Sequence, residues 1–390
     1  MKLLTKLQRI ALYIFFFTIN FEMFDPLHTS GSFSLAKLTA IMYVMTILPQ
    51  LPKFIRIDGL KPVLFPLWMF FGFLTLMSLI NINVFSSTFF YFPIFLNIIL
   101  FFLFVNHERF DYLIIEKGIF SFALGSVALV ILFYAGIGVR YDGGRLSMFG
   151  DNQNILGVKV AVSSIILTLT VIQNRLNMGG YRYLILGVVP LMLVFIGQTG
   201  SRVAVIAFVL AFLTGAVLYK TKTMLTKISI LLGGALVLSL MVILLLQSEV
   251  MAKRLESTYK TGDLASRDKM WKEIIPIIED NPIVGIGMTG YQFEASIAMG
   301  QTNSPHNVIL EILCYTGIIG LVLYLTFLFQ VLIRGYYTYE KNGFLLPLLL
   351  FIPMVGLILG GQILDIKIGW IIFAYIVSTS AVDRKSLKNL

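Results

Sequence analysis

Long apolar runs recur from end to end of this chain, each near the roughly 20 residues a helix needs to cross about 30 Å of hydrocarbon. Twelve spans are predicted, at 10–24, 35–51, 63–80, 84–105, 118–137, 155–172, 183–197, 203–219, 228–246, 308–333, 344–360 and 366–379. A membrane barrel is excluded by the same runs, because its strands would alternate apolar and polar residues at period two. Composition agrees: 58% hydrophobic and only 13% charged residues give 390 residues more apolar surface than a soluble core can hide. The predicted fold class is an all-α polytopic membrane protein with about 12 transmembrane helices. Lys2, Lys6 and Arg9 precede the first span as in a signal peptide, but no small-residue cleavage site follows, so it reads as a retained helix.

Orientation follows from the basic residues. A cytoplasmic N-terminus puts 18 of the 30 inside, and the short outer segments then hold only Lys37, Arg140, Arg145, Arg202 and Lys367. Both termini are expected in the cytoplasm. The net charge of +10 is then largely topological and does not point to nucleic acid. The lone Cys314 lies in a span and implies neither a disulfide nor a redox site.

One break interrupts the pattern. Over residues 247–306, between the ninth and tenth spans, hydropathy falls, and a single membrane domain, 1–390, with one inserted extracytoplasmic loop is the simplest description. Within the loop, Met270, Trp271, Ile274, Ile275 and Ile278 repeat at helical spacing and predict an amphipathic helix over about 267–280, suited to the membrane surface. Ser266 is a plausible N-cap and Pro276 a source of bending. Gly285, Gly287 and Gly290 spell GxGxxG, but no βαβ unit surrounds them, so a glycine-rich turn after Pro282 is expected rather than a nucleotide site.

Outward arginines in short loops run against the charge rule. Arg145 stands in GGRLSMFGDNQNILG, a Gly- and Asn-rich turn that includes Asn154. Arg202 follows Thr199, Gly200 and Ser201, a polar helix start whose free amides and dipole favour an anion. A guanidinium there adds a planar fork suited to phosphate oxygens. Arg267 opens the loop helix, an unfavourable place for a cation unless a ligand holds it there, while Arg140 fits a side chain snorkelling to lipid phosphates. His306 closes the loop in SPHNVILEIL beside Asn307, whereas His28 and His107 read as ordinary loop residues. A histidine at the membrane face near arginines has the parts for proton transfer at neutral pH. Glu311, one turn beyond Asn307, is an intramembrane carboxylate and so a further candidate.

The segments RDKMWKEIIPIIEDNPIVGIGMTGY and PHNVILEILCYTGIIGL, preceded in order by RLSMFGDNQNILG and TGSRVAV, resemble the O-antigen ligase and O-antigen polymerase superfamily of bacterial membrane glycosyltransferases. The resemblance runs from about Arg145 to Leu321. One departure is Tyr315, where relatives often carry an acidic residue, so a second carboxylate is missing there. The resemblance implies a GT-C-like helical fold in the bacterial inner membrane with its active site on the extracytoplasmic face. It places Arg202, Arg267 and His306 on positions used for catalysis and pyrophosphate binding, with Arg145, Asn154, Asn307, Glu311 and Arg140 as substrate-binding candidates.

The partners it implies are an undecaprenyl-pyrophosphate-linked glycan donor, a glycan acceptor, membrane lipids and a chain-length regulator. No cofactor is expected. No metal is expected either, arginines standing in for a divalent cation, although Asp142 and Asp151 keep a metal alternative open. Polymerisation of lipid-linked repeat units is the favoured activity, because the chain matches the superfamily only in its motifs. Ligation of the glycan to lipid A core or another acceptor is the alternative. A flippase fits less well, since no broken helix in the first half matches the large loop of the second.

Overall fold

The computed structural model describes residues 2–27, 29, 33–80, 84–220, 223–262, 267–300 and 304–386; His28, Ser266 and Lys388 lie outside them. The first part holds α1 (Lys2–Thr18), α2 (Leu35–Ile47), the short α3 (Leu51–Phe54), α4 (Lys61–Ile80), α5 (Val84–Glu108) and α6 (Ile114–Tyr134). A hairpin of β1 (Val139–Asp142) and β2 (Arg145–Met148) follows, then α7 (Gln153–Gln173), α8 (Arg182–Leu186), α9 (Val189–Thr199), α10 (Arg202–Leu218) and α11 (Met224–Leu246). The polar stretch forms α12 (Glu249–Thr261), α13 (Arg267–Asp280) and α14 (Gly287–Met299), before α15 (Val308–Asn342), α16 (Leu346–Gly360) and α17 (Lys367–Ser386).

The protein is mostly helical and polytopic. Among the described residues six helices have both the length and the composition of a membrane span, at 35–54, 61–80, 114–134, 153–173, 182–199 and 308–342, against the twelve crossings expected. Length accounts for part of the difference: α10 has 17 residues and α16 has 15, short of a full straight span although both are apolar. Helix dominates because no water in hydrocarbon can satisfy a free N–H or C=O, whereas a helix satisfies its own. α7 is the axial element, almost wholly buried and packed against α6, α9, α10 and α16. The N-terminal ends of α7, α10 and α15 and the C-terminal ends of α9 and α16 gather on one side, where the hairpin, α12 and α13 also lie.

Two local features correct the sequence reading. The stretch before α7, read as a turn, is a two-stranded antiparallel hairpin in which Asp142 faces Arg145. Its two-residue loop is Gly143–Gly144, both at positive φ, as a tight hairpin turn demands. His107 is no loop residue: it sits buried in the last turn of α5, 3.0 Å from the Tyr43 hydroxyl and among Phe54 and Phe110. An apolar aromatic cluster recruits the ring for packing, which the charges after it, Glu108 and Arg109, concealed in the sequence.

Gly285 and Gly287 of the polar stretch serve a close backbone approach. α15 breaks at Gly317, whose φ of 57° and ψ of −158° no helix contains. Breaking a membrane helix frees main-chain groups that must find partners. Here Ile318 N–H donates to Pro282 O and Ile319 N–H to Ile283 O, while Cys314 O accepts from Ile286 N–H. A Cβ on Gly317 would lie 2.3 Å from the Ile283 carbonyl, main chain that has nowhere to move. Gly317→Ala should therefore cost roughly 1–3 kcal/mol from overpacking, with a further penalty for left-handed backbone. The unfolding temperature of the purified protein should fall by several degrees; an unchanged value would contradict this account of the break.

Candidate functional site

Arg145 enters the site from the first residue of β2. Its Nε donates to Thr199 O at 2.9 Å and its Nη2 to Asn154 Oδ1 at 2.7 Å, so the guanidinium is braced against the end of α9 and the start of α7. The hairpin itself is anchored by Ser147, whose hydroxyl donates to Asp151 O at 2.8 Å. The Asp151 carboxylate in turn accepts from the wholly buried Lys159 ammonium at 2.7 Å. Glu22 lies 3.8 Å from that same ammonium and pairs with Lys367, which ties the hairpin to both ends of the chain. Removing one partner of such a buried pair would leave the other charge uncompensated and so destabilise the platform.

Arg202 is placed by a helix-to-helix corner. α9 stops at Gly200, with φ of 60°, and Ser201 caps α10 by accepting from Ala204 N–H at 3.3 Å. The polar helix start expected from the sequence is present. Arg202 Nη1 donates to the Thr258 hydroxyl on α12. α12 is held there by Ser248, which caps it and donates from its hydroxyl to Gly197 O at 2.9 Å. One turn before Thr258 stands Arg254, which sequence reasoning passed over. Its stem and the Arg145 Nε both crowd Gly200: a Cβ there would lie 3.2 Å from Arg254 Cδ and 3.3 Å from Arg145 Nε. The signal was available, since Ser248 as a cap followed by Met251 and Leu255 spells a helix that puts Arg254 and Thr258 on one face.

Arg267 opens α13, with a guanidinium nitrogen 3.4 Å from where a Cβ on Gly360 would stand, beside Val203 of α10. The apolar stripe of α13, expected at a membrane surface, is used within the protein: Ile274 is buried, and Met270 and Ile278 pack on the core. Trp271 Nε1–H donates to Pro305 O at 3.0 Å and so ties α13 to the turn that carries His306.

His306 adopts a left-handed φ of 51°, uncommon for a residue with a side chain. Its N–H donates to the Ser304 hydroxyl at 3.2 Å, and that hydroxyl donates to the buried Glu311 carboxylate. Asn307 caps α15, its side-chain oxygen accepting from Ile309 and Leu310 N–H, so the described contacts give it a positioning role. Asn154 likewise orients Arg145. Arg140, on β1, is exposed and shares no described contact with the other arginines.

Four arginines and a histidine thus converge. Burial, then the charges of Arg254, Arg202 and Arg267, hold the Arg145 guanidinium down at about 10, with Asp142 opposing. Burial and then Arg202 lower Arg267 in the same sense. Burial and then Arg267 hold His306 below its ordinary value of 6.5, so its ring is neutral at pH 7 and able to accept a proton. A half-buried cluster of like charges is unfavourable alone and becomes favourable around a polyanion, for which paired guanidinium donors are the matched chemistry. Asp151 is engaged by Lys159, and Asp142 accepts from Gln153 at 3.4 Å; among the described residues no three of His, Cys, Asp and Glu gather as metal ligands.

Residues 187–325 match a family model described as O-antigen ligase. Over that stretch the chain is similar to O-antigen ligases. The match supports the resemblance to the ligase and polymerase superfamily, whose members are glycosyltransferase-like enzymes. The matched domain contains Arg202, Arg254, Arg267, His306 and Glu311, while Arg145 and Asn154 approach it from outside. Tyr315, the departure noted above, is buried in the domain against Tyr291, and the second carboxylate facing Glu311 across a cavity is Asp365. No curated protein matches the chain.

Proposed function

We propose that this chain polymerises undecaprenyl-pyrophosphate-linked oligosaccharide repeat units on the outer face of a bacterial inner membrane, crossing the bilayer about twelve times as one membrane domain. The observation that carries the reading is the convergence of Arg145, Arg202, Arg254 and Arg267 beside a neutral His306. In the reaction a sugar hydroxyl attacks the anomeric carbon of the donor. A new glycosidic C–O bond forms, the bond from that carbon to the pyrophosphate oxygen breaks, and undecaprenyl pyrophosphate leaves with the electron pair. His306 accepts the hydroxyl proton, and the arginines neutralise charge that grows on the leaving oxygens, a contribution larger in the transition state than in the ground state.

The ligase reading has one observation in its favour, the description of the matching family. Deleting the gene separates the two. Loss of a polymerase leaves the surface glycan as single repeats, whereas loss of a ligase leaves long chains stranded on the lipid carrier. An unchanged glycan profile would remove both readings.

Topology is tested by cysteine labelling in a Cys314→Ser background. Tyr259 on α12 is 91% exposed on the side of the arginines, and Lys341 lies at the far end of α15. Tyr259→Cys should react with an impermeant reagent in intact spheroplasts and Lys341→Cys only after permeabilisation; the reverse pattern would invert the proposed orientation.

A further inference from the structure

Behind the His306 turn lies a cavity of about 220 Å³ lined by Glu311 and Tyr315 of α15, Tyr291 and Gln292 of α14, Gln362 and Asp365 between α16 and α17, and Ser304. Its lining differs from that of the arginine cluster. There the donors are cationic forks; here carboxylates, carboxamides and hydroxyls stand with a few apolar side chains about two aromatic rings, their centroids 5.5 Å apart at 68°. Carboxylates accept, carboxamides both donate and accept, and neighbouring sugar hydroxyls present the complementary mixture. An aromatic face accommodates the apolar face of a sugar ring. The volume falls below the roughly 300–1,000 Å³ of sites for drug-sized ligands, which suits one ring rather than an oligosaccharide. Ser304 belongs to both places: its hydroxyl lines the cavity, donates to Glu311, and accepts from the His306 main chain at 3.2 Å.

We propose that this cavity is the subsite for the terminal sugar of the acceptor glycan, and that Glu311, acting through Ser304, is a positioning residue for His306. The proposal rests on the glycosyl-transfer reading above. An acceptor ring seated there presents its hydroxyl beside the histidine that takes the proton, while the donor pyrophosphate lies across the turn on the arginines. Donor and acceptor thus reach His306 through different groups, without competing for the same ones.

The test uses the full-length protein in lipid nanodiscs and two probes. One is the oligosaccharide freed by mild acid from the lipid-linked glycan that accumulates in cells lacking this gene, and the other is undecaprenyl pyrophosphate without sugar. Gln292→Ala and Asp365→Asn at the cavity wall should weaken binding of the free oligosaccharide at least tenfold and leave undecaprenyl pyrophosphate affinity unchanged. Glu311→Gln should in addition shift the acid limb of the pH–rate profile, because it alters how the His306 turn is held. Equal oligosaccharide affinity in the wild type and both wall variants overturns the subsite, as does a wild type that binds no oligosaccharide. If Gln292→Ala and Asp365→Asn weaken both probes together, the cavity serves the fold and the proposal is lost. The donor reading fails separately, if Arg202→Lys binds undecaprenyl pyrophosphate as tightly as the wild type does.

Discussion

His306→Ala should cut glycan transfer to a small residue while the protein still folds, inserts and accumulates to normal levels. The ring is half-buried on a surface turn whose main chain is held by Ser304, so its loss opens no large core cavity. General-base assistance is worth about 10²–10⁴-fold, and a drop of at least a hundredfold is expected. The pH dependence carries a sign. Burial and Arg267 place the His306 pKa below 6.5, so the base is competent at neutral pH and loses competence as acid protonates it. Wild-type activity should hold steady through neutrality and decline on an acid limb below pH 6.5, and the residual activity of the alanine variant should lack that limb. Near-normal chain length in cells carrying only His306→Ala would leave the histidine a structural role.

Arg202→Lys and Arg267→Lys should each lose activity although the charge is kept. If the pyrophosphate is held by planar forks, lysine forfeits a charge-assisted hydrogen bond worth roughly 1.5–3 kcal/mol, about ten- to a hundredfold in rate when it acts in the transition state. Arg145→Lys should be felt differently. Two of its nitrogens are committed to Thr199 and Asn154, so its loss loosens the corner that places Arg202 and should lower stability along with rate. Activity of the purified protein should persist in EDTA. Full activity in both lysine variants would reduce these arginines to surface charge, and EDTA inhibition relieved by Mg²⁺ would assign the pyrophosphate to a metal.

The helices were legible because each apolar run carries its own reason to be helical in hydrocarbon, independent of its neighbours. Crossing number was less so, since α10 and α16 are apolar but short. Arg202 and Arg267 could be singled out by position at helix starts, but their approach depends on how α12 and α13 return over the bundle, which no local pattern specifies. Arg254 was lost inside a stretch treated as one loop, although the capped helix that carries it was legible there. Asn154 and Asn307 were noticed as polar residues near the site, yet a side-chain amide beside a helix start or a guanidinium is readily engaged there, and both were found orienting others. The hairpin was missed although Asp142-Gly143-Gly144 carries a recognised turn signal, because the surrounding asparagines and glycines suggested irregular chain.

The break in α15 has a mechanical consequence. Three main-chain hydrogen bonds rivet residues 282–286 to the two sides of the broken helix, and Gly285 and Gly317 leave no slack between the strands of backbone. Residues 282–286 are therefore a strut and not a flap: they cannot lift away from α15 without tearing that joint. A displacement of α15 at the break is carried to α13 and α14, which flank the joint, and the Trp271–Pro305 hydrogen bond couples α13 to the turn that holds His306.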